Sequence, residues 1–238
     1  MMNMRNAFFS VAAGLSLFAA APAAAEPILL DPSKVGDSYT VDFDGFVDGN
    51  VTVDGLGAQL TLTLTSVIGN VYNFAYQLTN TTDSGVTSRV SGFAFDTDPA
   101  IASATSTGTY DNAIIGGKYP NQVGSVDVCF QGGNSKSCSG GGSGGVFNGN
   151  TGTGTLSLNF GTALSSLTLD DFFVRYQSIT GAGDIGSASG RQVSTSTSSG
   201  NDVPEPNMMI LFGLAAMMIF AGTRRRKVKP LQEQPAYA

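Results

Sequence analysis

Two pairs of aspartates are the side chains that come closest to a catalytic arrangement in this sequence. Asp96 and Asp98 are separated by one residue, whereas Asp170 and Asp171 are adjacent. Because side chains two positions apart on a β-strand share a face, Asp96 and Asp98 could act together on one glycosidic bond. Asp98-Pro99 is nevertheless typical of a turn, and neither aspartate pair comes with a glutamate inside the domain. We therefore expect structural roles for both pairs, and a hydrolase that uses Asp96 and Asp98 stays an alternative.

Three further aspartates, Asp42, Asp44 and Asp48, have a spacing similar to that of a calcium loop. An EF-hand loop requires glycine at its sixth position and a bidentate glutamate at its twelfth. Val47 and Val53 occupy those positions, so the EF-hand is excluded. A calcium site built from β-loops on these three carboxylates remains an alternative, and we otherwise predict neither a metal nor a cofactor.

The N-terminal residues have the composition of a signal peptide. One cation, Arg5, precedes an apolar stretch over residues 7–21, and three alanines end the segment at Ala25. This order of charged, apolar and small residues is that of a Sec-type signal. We predict that residues 1–25 are a signal peptide, cut between Ala25 and Glu26.

The C-terminus combines a proline-bracketed acid, an apolar run and a basic cluster. Residues 208–222 carry no charged side chain, and a helix extended to Thr223 would be about 24 Å long, which suits a short membrane span. Basic residues directly after such a span are typical of its cytoplasmic side. The flanking groups are Val203, Pro204, Glu205 and Pro206 in front, and Arg224, Arg225, Arg226 and Lys227 behind. We predict a single transmembrane helix followed by a short cytoplasmic tail at residues 230–238.

This three-part arrangement over residues 203–229 resembles the PEP-CTERM sorting signal of Gram-negative bacterial surface proteins. The resemblance implies recognition by an exosortase, a transpeptidase-like membrane enzyme that acts near the motif. With the signal peptide it implies delivery through the Sec translocon and a precursor held in the inner membrane with its domain in the periplasm. The final location would be the cell surface or the extracellular matrix.

The region between the two ends alternates apolar and polar residues with a period of two. Leu60, Leu62 and Leu64 alternate with threonines, as a half-buried strand requires. Weaker alternation marks six other segments, at residues 39–43, 72–78, 90–95, 123–130, 155–160 and 167–176. We predict an all-β domain over residues 26–180, an antiparallel, jelly-roll-like β-sandwich. The glycine-, serine- and threonine-rich residues 181–202 are predicted to be a flexible linker.

Cys129 and Cys138 flank a segment rich in glycine and serine. An even pair of cysteines in an exported protein indicates a disulfide. The sequence contains no histidine, so a thiolate or serine nucleophile lacks its usual activating base. We predict a disulfide between Cys129 and Cys138, which closes a loop of about ten residues and stabilises the fold by about 2 to 3 kcal/mol.

Four segments, residues 36–46, 89–99, 126–130 and 169–177, resemble the "cistern" family of PEP-CTERM proteins. The similarity runs over most of residues 37–180 and includes both cysteines. It implies a sorting signature and carries no activity with it.

The charge balance argues against nucleic acid as a partner. Between Glu26 and Pro206 the chain has 17 acidic and six basic residues, a difference of eleven negative charges. We predict a non-enzymatic structural protein of the surface or matrix, connected through the family resemblance with exopolysaccharide and biofilm. The alternatives are a permanently anchored adhesin and a carbohydrate-binding module that stacks Tyr110, Tyr119 or Phe147 on sugar rings.

Overall fold

Residues 26–200, the part of the chain that the computed structural model describes, form fourteen β-strands and one short 3₁₀ helix, Pro32–Lys34. The all-β prediction is confirmed. The strands in chain order are β1 (Ile28–Leu30), β2 (Ser38–Phe43), β3 (Phe46–Val47), β4 (Val51–Thr52), β5 (Ala58–Ile68), β6 (Val71–Asn80), β7 (Thr87–Asp98), β8 (Ser103–Ser106), β9 (Asn112–Tyr119), β10 (Gly124–Gln131), β11 (Val146–Phe147), β12 (Thr151–Asn159), β13 (Leu167–Thr180) and β14 (Ser187–Ser198).

Ten of these strands follow one antiparallel path, in the order β8-β12-β6-β5-β2-β14-β13-β7-β10-β9. The two strands at the ends of this path, β8 and β9, contact each other, so the sheet is nearly closed into a barrel. The antiparallel architecture is as predicted. The two separate sheets of a jelly-roll-like sandwich are replaced by a continuous sheet, because β14 joins the two regions.

Alternation of side chains explains how the strands build the core. Leu60, Leu62 and Leu64 of β5 are buried, and the threonines between them point outward. Phe93 lies among other aromatic rings of the core, with ring centroids 5.0 Å from Phe130 and 5.4 Å from Tyr110. All seven segments that alternation marked as strands lie on strands, namely β2, β5, β6, β7, β10, β12 and β13.

The predicted flexible linker over residues 181–202 is wrong for most of its length, because Ser187–Ser198 form strand β14. The first part of β14 pairs with β13 and the second part with β2, with a register shift between Gln192 and Ser194. Each part of β14 is thus held by main-chain hydrogen bonds to a neighbouring strand. The strand can therefore form from serines and threonines, which composition alone assigns to a linker.

Candidate functional site

The predicted sorting residues fall outside the described part of the chain. The residues concerned are Ala25, the motif at residues 203–206, the apolar span and the basic cluster at residues 224–227. Within residues 26–200, no helix has the length and apolar character needed to cross a membrane. Glu26 is described, and its main-chain carbonyl accepts hydrogen bonds from Gln192 Nε2 at 2.9 Å and Thr195 Oγ1 at 3.1 Å. The first residue after the predicted cleavage position is thus bonded to β14.

The predicted disulfide is confirmed. Cys129 and Cys138 are joined, with their Cα atoms 5.7 Å apart. Both cysteines are buried in a second, smaller apolar cluster with Ala94, Tyr119 and Val126. This cluster is separate from the main core, so the segment carrying Cys138 covers the side of β7, β9 and β10 that faces away from that core.

Arg89 fixes the glycine-rich loop that contains the disulfide. Its side chain is 3% exposed, and Nη2 donates to the carbonyl of Gly141 at 2.8 Å and to Gln177 Oε1 at 3.0 Å. Nη1 donates to the carbonyl of Gly144. Burial lowers the pKa of the guanidinium group, which nevertheless stays charged at any physiological pH. Main-chain carbonyls therefore take the place of a carboxylate partner.

Arg175 makes a second attachment of the same kind. It is 8% exposed, its Nε donates to the carbonyl of Ser139 at 3.1 Å, and its Nη1 donates to that of Ala188 at 2.8 Å. Its Nη2 donates to Ser187 Oγ at 3.0 Å. Arg175 thus links the disulfide loop to β14. Burial lowers the pKa of this guanidinium group as well.

The loop follows the strands so closely that it requires glycine. Gly145 has a φ of +88°, and a Cβ there would lie 2.1 Å from the carbonyl oxygen of Val90. Gly144 has a φ of +75°, and a Cβ there would lie 2.2 Å from the nitrogen of Gly133. The glycine-rich composition therefore reflects close packing of main chain on main chain.

One aspartate of the catalytic alternative, Asp96, holds two strands together. Asp96 Oδ1 accepts from the main-chain nitrogen of Asp127 at 2.8 Å, and Asp127 Oδ2 accepts from that of Thr97 at 2.9 Å. Asp98 is exposed at the end of β7. Burial raises the pKa of Asp96 above its ordinary value, and the nearby carboxylates, Asp127 first, raise it further, while the hydrogen bond from Asp127 opposes them. The geometry assigns Asp96 and Asp127 to the pairing of β7 with β10.

The other pair, Asp170 and Asp171, lies where β13 departs from regular pairing. Asp170 is opposite Asp96, and the register shifts between Asp170 and Phe173. Asp171 has a φ of +47° and its main-chain nitrogen donates to Asp170 Oδ1 at 2.8 Å. These contacts belong to a β-bulge, which bends the strand locally.

The structure does not bring the calcium candidates together. The carboxylate of Asp42 accepts from Gln59 Nε2 at 2.8 Å and from Ser194 Oγ at 2.6 Å. Asp44 accepts from the main-chain nitrogen of Arg191 at 3.1 Å and lies 3.6 Å from its Nε. Asp48 is exposed in a turn. Across residues 26–200 there is no group of three or more histidine, cysteine, aspartate or glutamate side chains that could hold a metal ion.

Two of the three aromatic residues offered for stacking on sugars are buried, so that prediction is wrong for them. Tyr110 is 0% and Tyr119 is 3% exposed, whereas Phe147 is 58% exposed. The Tyr110 hydroxyl donates to the carbonyl of Val90 at 2.9 Å inside the core. An alternating pattern does not tell which aromatic residues of a sheet face inward when both faces of the strand are covered.

A different feature of the outer surface emerges from the strands. The outward side chains of β2, β5, β6 and β12 form what we call the threonine face, which consists of Ser38, Thr40, Asp42, Gln59, Thr61, Thr63, Thr65, Asn73, Ala75, Gln77, Thr79, Thr151, Thr153, Thr155, Ser157 and Asn159. Its hydroxyls pair across strands, as in Ser38 with Thr63 at 2.7 Å and Thr79 with Thr151 at 2.9 Å. The threonines between the β5 leucines signalled this face in the sequence.

Comparison with protein families decides what the C-terminus is. Residues 202–227 match the PEP-CTERM protein-sorting motif. The chain carries a PEP-CTERM motif. The matched range contains both the predicted Val203 to Pro206 segment and the basic cluster from Arg224 to Lys227. The PEP-CTERM motif implies export, a membrane-associated precursor and processing by an exosortase.

Neither a curated protein nor a solved structure matches the chain. The similarity to the "cistern" family therefore stays a prediction from the sequence.

Proposed function

We propose that the protein is a structural component of the cell surface or the extracellular matrix, with no catalysis of its own. The observation that carries this proposal is the PEP-CTERM motif at residues 202–227, directly after a folded β-domain. In this proposal the signal peptide is cut before Glu26, the domain folds in the periplasm, and the exosortase acts at Val203 to Pro206. The association with exopolysaccharide and biofilm rests on the family resemblance.

The construction of the domain supports this location. The Cys129–Cys138 disulfide is of the kind that persists in oxidising compartments outside the cytoplasm. Of the two aspartates that could have served in hydrolysis, Asp96 is engaged with the main-chain nitrogen of Asp127 on the neighbouring strand, and Asp98 is exposed at the end of β7. A domain of this kind can serve as a stable, acidic surface unit.

Intact-mass measurement tests the proposal. The protein is recovered from membranes and from the surface or medium of cells with and without the exosortase gene. We expect a species that begins at Glu26 and ends near the motif in the surface fraction, and a longer, membrane-bound species when the exosortase is absent. The same mass and location in both strains would favour a permanently anchored adhesin and contradict exosortase processing.

A pair of proline variants gives the control. Pro204→Ala with Pro206→Ala alters the motif, whereas Pro230→Ala lies beyond the matched residues 202–227. We expect the first variant to accumulate as the membrane-bound species and the second to be processed normally. Normal processing of both variants would show that the prolines are not read.

A further inference from the structure

The threonine face is depleted of charge. Among the 36 residues of β2, β5, β6 and β12, Asp42 is the one charged residue, and its carboxylate is occupied by Gln59 and Ser194. Charged side chains are ordinarily abundant on exposed surfaces because they keep proteins soluble. An outward strand position accepts lysine or glutamate without harm to the core. Threonine is a favoured strand residue and pairs across strands, so the sheet accounts for many of the hydroxyls, but it does not account for the near-absence of charge on four neighbouring strands.

The hydroxyls of this face form an ordered array. Neighbouring strands lie about 4.8 Å apart, and alternate residues of a strand are about 6.8 Å apart. Thr40 and Thr61 approach within 3.0 Å, and Thr107 of the adjoining loop lies 2.8 Å from Thr155. Because a hydroxyl has one donor and two acceptor positions, the pair of Thr40 and Thr61 still offers one donor and three acceptors to a ligand. Thr107 also accepts from the main-chain nitrogen of Thr155 at 3.2 Å, so that pair offers one donor and two acceptors.

A groove runs through the centre of the threonine face. Ala75 on the middle strand contributes only a methyl group, and the register places Thr63 and Thr155 on either side of it. Thr61 and Thr153 flank Gln77 in the same way, one step along the strands. The resulting cavity is about 390 Å³ and is also lined by Tyr76 and Gly154. Threonines of β5 and β12 line its two sides, and Ala75 and Gln77 of β6 lie between them.

We infer that this groove binds an uncharged polysaccharide chain; the inference rests on the proposed function, since it requires a surface or matrix location. A neutral glycan carries hydroxyls that both donate and accept, which matches the two-sided hydrogen-bonding capacity of the threonines. A charged partner would find a single charged side chain on the face, Asp42, whose carboxylate already accepts from Gln59 and Ser194. An apolar partner would leave the hydroxyls unpaired.

Recognition at this groove does not use aromatic stacking. Tyr76 lines the cavity but is only 3% exposed, and its hydroxyl donates to the carbonyl of Thr107 at 2.9 Å. Tyr110 and Tyr119 are buried, and Phe147 belongs to β11, which pairs with β7. Specificity instead comes from the spacing of hydroxyls along β5 and β12. The two threonine rows are held apart by β6, so a chain lying along Ala75 and Gln77 reaches both rows at once.

Binding of the protein recovered from cells to insoluble glucans tests the inference. Cellulose and curdlan serve as neutral probes, cross-linked dextran as a third, and alginate beads as a charged comparison. We expect retention on at least one neutral glucan with little dependence on salt, and none on alginate. The inference would be overturned if none of the neutral glucans retained the protein, or if alginate alone did.

Two alanine-to-lysine variants localise the site. Ala75→Lys places a long cation in the groove, whereas Ala102→Lys makes the same change at an exposed position between β7 and β8. We expect at least about a tenfold loss of glucan binding for Ala75→Lys and none for Ala102→Lys. Equal binding by the two variants would refute the groove as the site.

A gentler variant keeps the test valid if the lysine disturbs the strand. Thr153→Val with Thr155→Val removes two hydroxyls and preserves β-branched shape, so the sheet is retained and the binding is expected to fall.

Sedimentation measures self-association in parallel. A wild-type dimer that Ala75→Lys dissociates would identify a second copy as the occupant and overturn the inference.

The localisation experiment and this one fail separately. Surface location without glucan binding leaves the proposed function standing and removes the groove assignment. Glucan binding by a protein that is never found outside the cell would leave the groove assignment standing and remove the proposed function.

Discussion

Two regions of the sheet treat their outer faces in opposite ways. We call β7, β9, β10 and β13 the covered half, because the disulfide loop lies over part of this region and nine of the twelve residues of β7 are buried. We call β2, β5, β6 and β12 the open half, where buried and outward positions alternate. The same antiparallel sheet thus has a second small core on one side and a bare polar surface on the other.

The difference separates polar residues that the fold needs from those it does not. In the covered half, polar side chains such as Arg89, Ser91 and Arg175 are buried and must find partners, because an unpaired buried polar group costs about 1 to 3 kcal/mol. In the open half, water can satisfy every outward group. The hydroxyls there pair across strands, but the fold does not require the near-absence of charged side chains, and this is the feature that we attribute to a ligand.

The strand shared by the two halves gives the largest expected effect. Truncation after Thr180 removes β14 and leaves the edges of β13 and β2 unpaired. We expect complete loss of the cooperative unfolding transition, measured by circular dichroism in urea, whereas truncation after Gly200 should preserve it. A folded protein lacking β14 would show that the halves are independent units.

Arg175→Met should lower the free energy of unfolding by about 3 kcal/mol. The substitution removes a buried charged donor and leaves the carbonyls of Ser139 and Ala188 without their hydrogen-bond partner. Lys118→Met removes the same charge from an exposed position of the covered half. We expect that control to stay within about 0.5 kcal/mol of wild type in urea unfolding. Equal losses would mean that charge, and not attachment of the loop, is what matters.

Replacing both cysteines by alanine should cost about 2 to 3 kcal/mol, the entropy of an open loop of this length. The loop remains attached through Arg89 and Arg175, so the domain should still unfold in one transition. Reduction of the wild-type protein should lower the free energy of unfolding, measured in urea, by the same amount. A protein that no longer folds without the disulfide would show that the arginines cannot hold the loop alone.

Asp96→Asn should change how stability depends on pH. The folded protein raises the pKa of Asp96 above its ordinary value of 3.8 by burial. The folded state therefore binds this proton more tightly than the unfolded state, and the contribution is greatest at low pH and lost as pH rises through the raised pKa.

We expect Asp96→Asn, which keeps an acceptor for the Asp127 nitrogen, to match wild type near pH 3 and to exceed it in unfolding free energy near pH 7. Urea unfolding across this range gives the measurement, with the exposed Asp98→Asn as control. A wild-type advantage that grows toward pH 7 would contradict the direction of the shift.

The smallest effect belongs to the open half. Thr61→Val retains β-branched shape and removes a hydroxyl whose partner, Thr40, is half-exposed and can turn to water. We expect a change within about 0.5 kcal/mol in urea unfolding. A loss comparable to that of Arg175→Met would make the threonine face a structural device and weaken the argument for a ligand.

The sequence predicted the parts of the fold in which one strand face meets water. Leu60, Leu62 and Leu64 alternate with threonine because that strand has one dry and one wet side, and the period is visible without any knowledge of the neighbours. The disulfide was equally predictable, because two cysteines allow only one pairing. Asp42 and Asp44 were grouped by their spacing, but the strands direct them to separate partners.

Long-range contacts escaped prediction. The partners of Arg89 include Gly141 and Gln177, and no local pattern connects residues so far apart in the chain. Strand β14 was missed for a related reason, because its stability comes from the two strands beside it and its own composition is that of a tether. Strand β9 contains Gly116 and Gly117, which interrupt the alternation that marks a strand.

The position of β14 also sets a limit on the geometry of processing. Five residue steps separate Ser198, where the strand ends, from Val203, and even a fully extended chain covers about 17 Å in that distance. An enzyme that cuts at the motif must therefore bring its catalytic centre close to the edge of the folded domain. Cleavage of the folded domain at this motif therefore requires a catalytic centre that comes within about 17 Å of the end of β14.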